Sequence, residues 1–136
     1  MRIYIAHKFR GLDPELLRAR LESVSALLEK LGHPTFNYFR DAERWQGSAK
    51  PFKEIIEEAF KEISKSDLLF GFVEHESTSE GMLLEFAYAK ALGKKTLLLV
   101  AEGFQPVSIE AVSDVALRFA NDADFAYQLK EGLSQL

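Results

Sequence analysis

The 136-residue sequence contains no cysteine, a single tryptophan and no apolar run that approaches membrane-spanning length. The lack of cysteine excludes disulfides, thiolate zinc sites and cysteine nucleophiles, and it agrees with a reducing compartment. Residues 1–5 have the pattern of a strand and not that of the hydrophobic region of a signal peptide. We therefore expect a cytoplasmic protein that makes no contact with a membrane.

The sequence also has fewer basic than acidic residues: 17 lysine and arginine residues and 21 aspartate and glutamate residues give a net charge of −4. Binding to a nucleic-acid polymer needs an extended basic face, so we expect no such partner. A local site for one small anion is still allowed. The length and the 47% apolar content predict a single domain over residues 1–136.

Strand-like and helix-like patterns alternate along the chain. Asp13-Pro14-Glu15 combines a helix N-cap, a proline at the first helical position and an early acid, and Gly32 ends the helix that starts there. The predicted strands cover residues 2–6, 34–39, 68–73, 96–100 and 115–119. Helices are predicted between them, including one at 51–64 and one ending at Leu92, with a loop or short helix at 104–112 and a last helix from about Asp122.

This alternation predicts a parallel sheet that is covered by helices on both faces. We predict an α/β, flavodoxin-like, doubly wound sheet of five strands in the order 2-1-3-4-5. In that order the chain reverses its direction of winding between strands 1 and 3. A ligand is therefore expected between the loops at residues 6–12 and 74–80.

The loop after the first predicted strand contains His7, Lys8, Arg10 and Gly11. Two cations and an imidazole close to a helix N-terminus suit a phosphate group. A solvated basic loop is an equally good interpretation of these residues taken alone, and only their position favours a binding site.

The loop after the third predicted strand is rich in acids and hydroxyls. Glu74, His75 and Glu76 could ligate a metal ion, but adjacent residues seldom converge on one ion and no zinc spacing is present, so we expect no metal and no other cofactor. Ser77 and Glu80 fit a capping box, which would explain Glu80 as a structural residue.

Glu85 is the only charged residue between Glu80 and Lys90. Burying an acid in such an apolar segment costs free energy unless another group compensates it. Helical side chains lean toward the N-terminus, so the carboxylate should lie over the turn that begins at Gly81, which has no side chain to block it. The simpler interpretation is an exposed glutamate on a half-buried helix.

Three segments resemble the nucleoside 2-deoxyribosyltransferase family, in particular its branch of 2′-deoxynucleoside 5′-monophosphate N-glycosidases. Residues 4–11, Tyr-Ile-Ala-His-Lys-Phe-Arg-Gly, are similar to the N-terminal strand and phosphate loop of that branch. Residues 79–85 are similar to its Ser-x-Gly-x-x-x-Glu, and residues 85–94 to its Glu-Leu-Gly-x-Ala and Ala-Leu-Gly-Lys. Together with Asp67 they cover most of the first 100 residues in the same order.

The resemblance implies that Glu85 attacks the anomeric carbon of a nucleoside, displaces the base and forms a glycosyl-enzyme that water or another base resolves. Tyr4 would orient the Glu85 carboxylate. The resemblance also implies a homodimer with shared active sites, with Ser108 or Ser113 as the residue donated by the neighbouring subunit. It assigns substrate or phosphate binding to six loop residues: His7, Lys8, Arg10, Gly11, Ser79 and Gly81.

The sequence departs from the family at the acid that protonates the leaving base, because that position falls on Ala59. Several acids or imidazoles could replace it: Glu58, Glu62, Glu74, His75 and Glu76. Trp45 is a candidate for stacking against the base, although a lone tryptophan is more often part of a core.

The sequence therefore predicts an N-glycosidase or glycosyltransferase that acts on a nucleoside or a nucleoside 5′-monophosphate. Ala59 keeps open a second hypothesis, a non-catalytic nucleotide-binding or sensing module on the same scaffold. A third hypothesis is the cleavage of NAD-like dinucleotides, because some NAD hydrolases also place a helical glutamate on a flavodoxin-like sheet. A receiver-type phosphoacceptor is disfavoured, since Asp67 begins its strand and does not end it.

Overall fold

The computed structural model describes residues 1–47, 49–76 and 79–136. Within them, five strands alternate with helices. The strands are β1 (Ile3–Ala6), β2 (Thr35–Asn37), β3 (Leu68–Val73), β4 (Lys95–Ala101) and β5 (Val115–Phe119). The helices are α1 (Pro14–Lys30), α2 (Tyr38–Asp41), α3 (Phe52–Ser64), α4 (Glu80–Ala91), α5 (Val107–Ala111) and α6 (Asp122–Ser134).

All neighbouring strands pair in parallel, and the strand order is β2-β1-β3-β4-β5. Side chains of α1 and α6 pack in the hydrophobic cluster on one face of the sheet, and those of α3, α4 and α5 pack in the cluster on the other. The predicted flavodoxin-like α/β fold is confirmed. Tyr4, in the middle of β1, belongs to the α3–α4–α5 face.

Helix α1 begins and ends where its capping residues predict. One carboxylate oxygen of Asp13 accepts hydrogen bonds from the backbone N–H groups of Glu15 and Leu16, at 2.9 and 3.2 Å. Gly32, just after the helix, has φ +92°, a conformation that L side chains rarely adopt. These caps place the loop after β1 at the N-terminal end of α1.

One predicted strand boundary is wrong. The second strand ends at Asn37 and not at residue 39, because the Asn37 side chain accepts a hydrogen bond from the Arg40 N–H and so caps the short helix α2. Glu80 does not occupy the third helical position that the predicted capping box requires. Ser79 is the N-cap of α4, with its Oγ accepting from the Met82 N–H, and Glu80 is the first helical residue. Ser77 lies outside the described residues.

Gly71, in the middle of β3, sets how closely α4 approaches the sheet. A Cβ atom at this position would lie 2.6 Å from Cε2 and 2.9 Å from Cζ of Phe86, closer than real Cβ contacts allow. The Phe86 ring therefore packs directly on the backbone of the strand. Because Glu85 precedes Phe86, this contact also fixes the depth of the acid.

In the part of the chain that the structure describes, no helix is both long and apolar enough to cross a membrane.

Candidate active site

The central feature of the site is a buried pair formed by Tyr4 and Glu85. Tyr4 on β1 is 1% exposed and Glu85 on α4 is 8% exposed. The Tyr4 hydroxyl donates a hydrogen bond to Oε2 of Glu85. Glu85 is therefore buried, unlike the exposed glutamate of the simpler interpretation, and the tyrosine partner that the resemblance implied is in contact with it.

Burial changes the protonation of both partners. Desolvation raises the pKa of Glu85 to about 7, although the hydrogen bond from Tyr4 opposes this shift by favouring the carboxylate. Burial also raises the pKa of Tyr4, and the adjacent charge of Glu85 adds to that effect. Tyr4 thus remains a neutral donor, while Glu85 exchanges between acid and carboxylate near neutral pH.

The packing around Gly81, in the first turn of α4, would admit a Cβ atom. A Cβ atom on Gly81 would meet nothing closer than the Ser79 Oγ at 3.8 Å and the Phe52 ring at 3.9 Å. Gly81 is thus not required by packing within the chain. Gly81 lies one turn on the N-terminal side of Glu85, which is the direction in which a helical side chain leans.

The loop after β1 brings fewer charges together than its sequence indicates. Nδ1 of His7 lies 3.2 Å from the Lys8 carbonyl oxygen, and desolvation lowers the pKa of His7 to about 4. The imidazole is therefore neutral at physiological pH and adds no positive charge. Arg10 is exposed and makes no hydrogen bond or ion pair with the residues described. Gly11 has φ +83°, as a tight turn requires.

A second tyrosine–glutamate pair lies between α2 and α3. The Tyr38 hydroxyl donates to Oε2 of Glu58 at 2.7 Å, and Nζ of Lys50 lies 2.7 Å from Oε1. The hydrogen bond from Lys50, followed by that from Tyr38, lowers the pKa of Glu58. Glu58 is therefore a carboxylate at neutral pH and a poor proton donor. Ala59, the next residue, is buried.

Tyr38 and Phe36 are two residues of this region that no sequence pattern indicated. The Phe36 ring stacks on the Tyr4 ring at 5.5 Å with an interplanar angle of 25°. Both residues belong to the segment that we predicted as one continuous strand. An Asn37 N-cap followed by a helical turn is the signal that could have turned Tyr38 toward α3.

A cavity of about 430 Å³ opens at the carboxyl ends of β1, β3 and β4. Lys8, Ser79 and Met82 are part of its wall, whereas Tyr4 and Glu85 are not among the described residues that line it. Met82 and Glu85 are three residues apart on α4, so their side chains neighbour each other on one helical face. The cavity therefore ends about one helical turn from the buried acid.

The structure does not bring Trp45 to the Tyr4–Glu85 pair. Its ring packs edge-on against Phe39 at 5.2 Å, and the guanidinium of Arg18 lies 5.0 Å from its centroid. Phe39 belongs to the core on the opposite face of the sheet from Tyr4. Trp45 therefore serves as packing in this chain, the alternative that its single occurrence already favoured.

The other acid candidates are dispersed. Glu62 forms an ion pair with Arg2 at 2.5 Å, and Glu74 accepts a hydrogen bond from Nε of Arg20 at 2.9 Å. Glu76 is exposed on the rim of the cavity. Among the described residues, no cluster of three or more acids or histidines could hold a metal ion.

The two serines that are candidates for donation to the active site of a neighbouring subunit differ in whether their side chains are available. Ser108 is exposed on α5. Ser113 donates its hydroxyl to the Ile109 carbonyl oxygen at 2.8 Å. Ser108 thus has its side chain available, whereas Ser113 is bonded to its own chain.

Comparison with known proteins gives structural relatives only. No protein-family model and no curated protein matches the sequence. The CMP N-glycosidase BcmB of Clostridium botulinum is 22% identical, with a TM-score of 0.70 over 96% of this chain and 99% of that one. A 2-deoxyribosyltransferase from the psychrotolerant bacterium Bacillus psychrosaccharolyticus is 20% identical, with a TM-score of 0.71 over 93% and 90% of the chains.

A conserved protein from Enterococcus faecalis V583 is also similar, at 14% identity and a TM-score of 0.69 over 96% of this chain and 97% of that one. The chain shares its fold with a nucleotide N-glycosidase and a deoxyribosyltransferase. At these identities the likeness shows the shared fold, which is the fold that the resemblance in the sequence motifs implied.

Proposed function

We propose that the protein is an enzyme that cleaves or exchanges the N-glycosidic bond of a nucleoside or a nucleoside 5′-monophosphate. The observation that carries this proposal is the buried carboxyl of Glu85 on α4, which accepts a hydrogen bond from the Tyr4 hydroxyl on β1. The fold shared with a CMP N-glycosidase and a 2-deoxyribosyltransferase agrees with it.

In the proposed mechanism an ionised Glu85 oxygen attacks the anomeric carbon and forms an ester bond to the sugar. The bond from that carbon to the base nitrogen breaks, and its electron pair leaves with the base, which takes up a proton. A water molecule or a second base, each losing a proton to solvent, then attacks the same carbon, and the ester bond breaks to release the Glu85 carboxylate. Two displacements on one carbon give net retention of configuration.

Binding of a 5′-phosphate is assigned to Lys8, Arg10 and Ser79, with Gly11 and Gly81 leaving room for it. His7 is neutral and could add a hydrogen bond but no charge. Fixing a remote phosphate holds the sugar against Glu85, and this use of binding energy lowers the barrier at the reacting carbon.

The proton for the leaving base does not come from Glu58 in this proposal, since Lys50 and Tyr38 keep that carboxylate ionised. Glu58 instead accepts a hydrogen bond from a hydroxyl or amino group of the substrate. Glu76, exposed at the cavity rim, or solvent water supplies the proton.

We further propose that the chain forms a homodimer through the outer face of α3 and α4. Phe52 at the start of α3 is 49% exposed, and Leu84 and Leu92 on and after α4 are both 44% exposed. Between the helices, Phe60 and Tyr88 stack at 4.0 Å with an interplanar angle of 6°. An apolar face of this kind marks an interaction surface. Ser108 of the neighbouring subunit is the proposed contribution to each site.

The decisive experiment is incubation of the wild type and the variants Glu85→Gln and Glu80→Gln with a panel of ribo- and deoxyribonucleosides, their 5′-monophosphates and NAD. Released base is measured by chromatography. We expect release from at least one compound and at least about a thousandfold loss for Glu85→Gln. Glu80→Gln, a change of the same type at an exposed position of α4, should retain activity. Base release by Glu85→Gln at the rate of the wild type would contradict the proposal.

A non-catalytic nucleotide-binding module is the second candidate, and the absence of an acid at position 59 favours it, since Ala59 is buried and has no polar group. Saturable binding of a nucleotide with no base release by the wild type would support this alternative. Turnover that depends on Glu85 would exclude it.

A further inference from the structure

The 430 Å³ cavity is large enough for a small-molecule ligand, because typical pockets for such ligands span about 300–1,000 Å³. The proposed mechanism uses Lys8, Glu76 and Ser79 of its lining, whereas Glu85 is not among the described residues that line it. A mononucleotide with its sugar at Glu85 and its phosphate at Lys8 would leave the rest of the cavity empty.

The walls of the cavity are mainly apolar. They come from the loop before α1, from β3, from the first turn of α4 and from the segment around α5, and they include Leu12, Phe72, Met82, Phe104, Pro106 and Ile109. A wall of this composition suits a flat, uncharged ring that loses contact with water on binding.

Carboxylates outnumber cations in the described lining of the cavity. Asp13, Glu74 and Glu76 contribute three carboxylates, against the cations Lys8 and Arg20. Arg20 is already bound to Glu74, and its Nη1 lies 3.2 Å from a carboxylate oxygen of Asp122. With Arg20 and Glu74 bonded to each other, the described lining beyond Lys8 offers no further cation for a second phosphate, while the carboxylate of Asp13 and the side-chain oxygen of Gln105 can accept hydrogen bonds from N–H donors such as the exocyclic amine of a nucleobase.

We propose that this cavity binds the second nucleoside of a dinucleotide substrate, with its amine-bearing base between the apolar walls. This inference rests on the proposed function and extends it. The cleaved nucleoside lies at Tyr4 and Glu85, the linking phosphates lie at Lys8 and Ser79, and the distal base lies in the cavity. The preferred substrate class is then a dinucleotide and not a mononucleotide.

The first test is a comparison of matched substrates. The first pair is nicotinamide mononucleotide and NAD. The second pair is the mononucleotide that the substrate panel identifies and the dinucleotide in which AMP is joined to the phosphate of that mononucleotide. We expect a KM at least about tenfold lower for each cleaved dinucleotide than for its mononucleotide. Equal KM values, or a lower one for the mononucleotide, would overturn the inference.

The second test locates the effect in the cavity. Leu16 is 73% exposed and lines the cavity on the first turn of α1, so tryptophan can replace it without disturbing the core. Leu16→Trp should raise the KM of the dinucleotide about tenfold and leave that of the mononucleotide within twofold. Leu31→Trp, at the exposed far end of the same helix, should change neither. A dinucleotide preference that Leu16→Trp leaves intact would contradict the cavity assignment.

Binding measurements separate a failure of this inference from a failure of the proposed function. Titration calorimetry with Glu85→Gln requires no turnover. If no compound releases base, the proposed function fails. The cavity assignment would still be supported if the dinucleotide binds more tightly than the mononucleotide and Leu16→Trp abolishes that difference. Equal affinities for the mononucleotide and the dinucleotide would overturn it.

Discussion

Two tyrosine–glutamate pairs lie in the same layer of the molecule, and the same hydrogen bond has different consequences in each. In the first, Tyr4 donates to Glu85 under α4, where the acid is buried and its pKa rises to about 7. In the second, Tyr38 donates to Glu58 beside Lys50, and the pKa of that acid falls. A hydrogen bond from tyrosine favours the carboxylate in both, so burial and the lysine account for the difference.

The comparison separates two roles for one residue type. Glu58 is stabilised as a charge and is suited to binding. Glu85 is held in a conformation where its charge costs free energy, which is typical of a reacting group. The main electrostatic feature of this layer is thus a pair of carboxyl groups, Glu58 and Glu85, whose environments shift their pKa values in opposite directions.

The largest expected effect is on stability. The pKa of Glu85 is raised from 4.5 to about 7, so the folded state binds the proton more tightly than the unfolded state. Its contribution to stability is complete below pH 4.5 and is lost as the pH rises through 7. Glu85→Gln should therefore match the wild type near pH 4 and exceed its free energy of unfolding by about 3 kcal/mol at pH 8.

Urea unfolding at both pH values measures this difference. Glu58→Gln is the matched control and should have the opposite sign, because removal of a stabilised carboxylate slightly lowers stability above its pKa. If Glu85→Gln were less stable than the wild type at pH 8, the carboxylate would not be held against an electrostatic cost.

Gly71→Ala should weaken the burial on which the first pair depends. The added methyl group overlaps the Phe86 ring, and overpacking of this kind costs about 1 to 3 kcal/mol. Displacement of α4 should also expose Glu85 and move the midpoint of the pH–activity profile below 7. Gly81→Ala on the same helix meets only ordinary contacts, so its free energy of unfolding should not fall. Equal stability of the two variants would refute the close packing of α4 on β3.

Tyr4→Phe removes the hydrogen bond of the first pair. Because that bond favours the carboxylate, its loss should raise the pKa of Glu85, move the pH midpoint of kcat/KM upward and lower the rate about tenfold at pH 7. Tyr38→Phe should leave the midpoint where it is. A profile that shifts in the Tyr38 variant and not in the Tyr4 variant would reverse the roles that we assign to the two pairs.

The smallest effect is expected from Lys50→Met. Loss of the Lys50 hydrogen bond should raise the pKa of Glu58, which carbon-13 NMR of the carboxyl group would measure. An exposed ion pair contributes little, so activity should stay within about fivefold of the wild type. A far larger loss would place Glu58 in the chemical step.

Much of this arrangement could be predicted from the sequence, since it depends on local patterns and on one topological rule. The strand order followed from the alternation of elements, and the caps of α1 were encoded by Asp13, Pro14 and Gly32. The inward orientation of Glu85 followed from its isolation in an apolar helix and from the lean of helical side chains.

The features that could not be predicted depend on which distant side chains meet. The sequence around Glu58 does not show that its carboxylate accepts a hydrogen bond from Tyr38. Tyr38 reaches α3 because the chain turns at Asn37, and that turn lies within a segment whose pattern is strand-like. The sequence around Gly71 does not show that the Phe86 ring packs against this glycine. The neutral state of His7 is set by burial, which the basic composition of its loop does not indicate.

The central claim is that Glu85 bonds to the sugar, and trapping that bond tests it most directly. A nucleotide with a 2-fluoro sugar slows breakdown of a glycosyl-enzyme, because fluorine disfavours positive charge at the anomeric carbon. After incubation and acid quench, peptide mass spectrometry should find the sugar, with any phosphate it carries, on the peptide that contains Glu85. Release of more base than enzyme while Glu85 stays unmodified, or an adduct on another residue, would contradict the account.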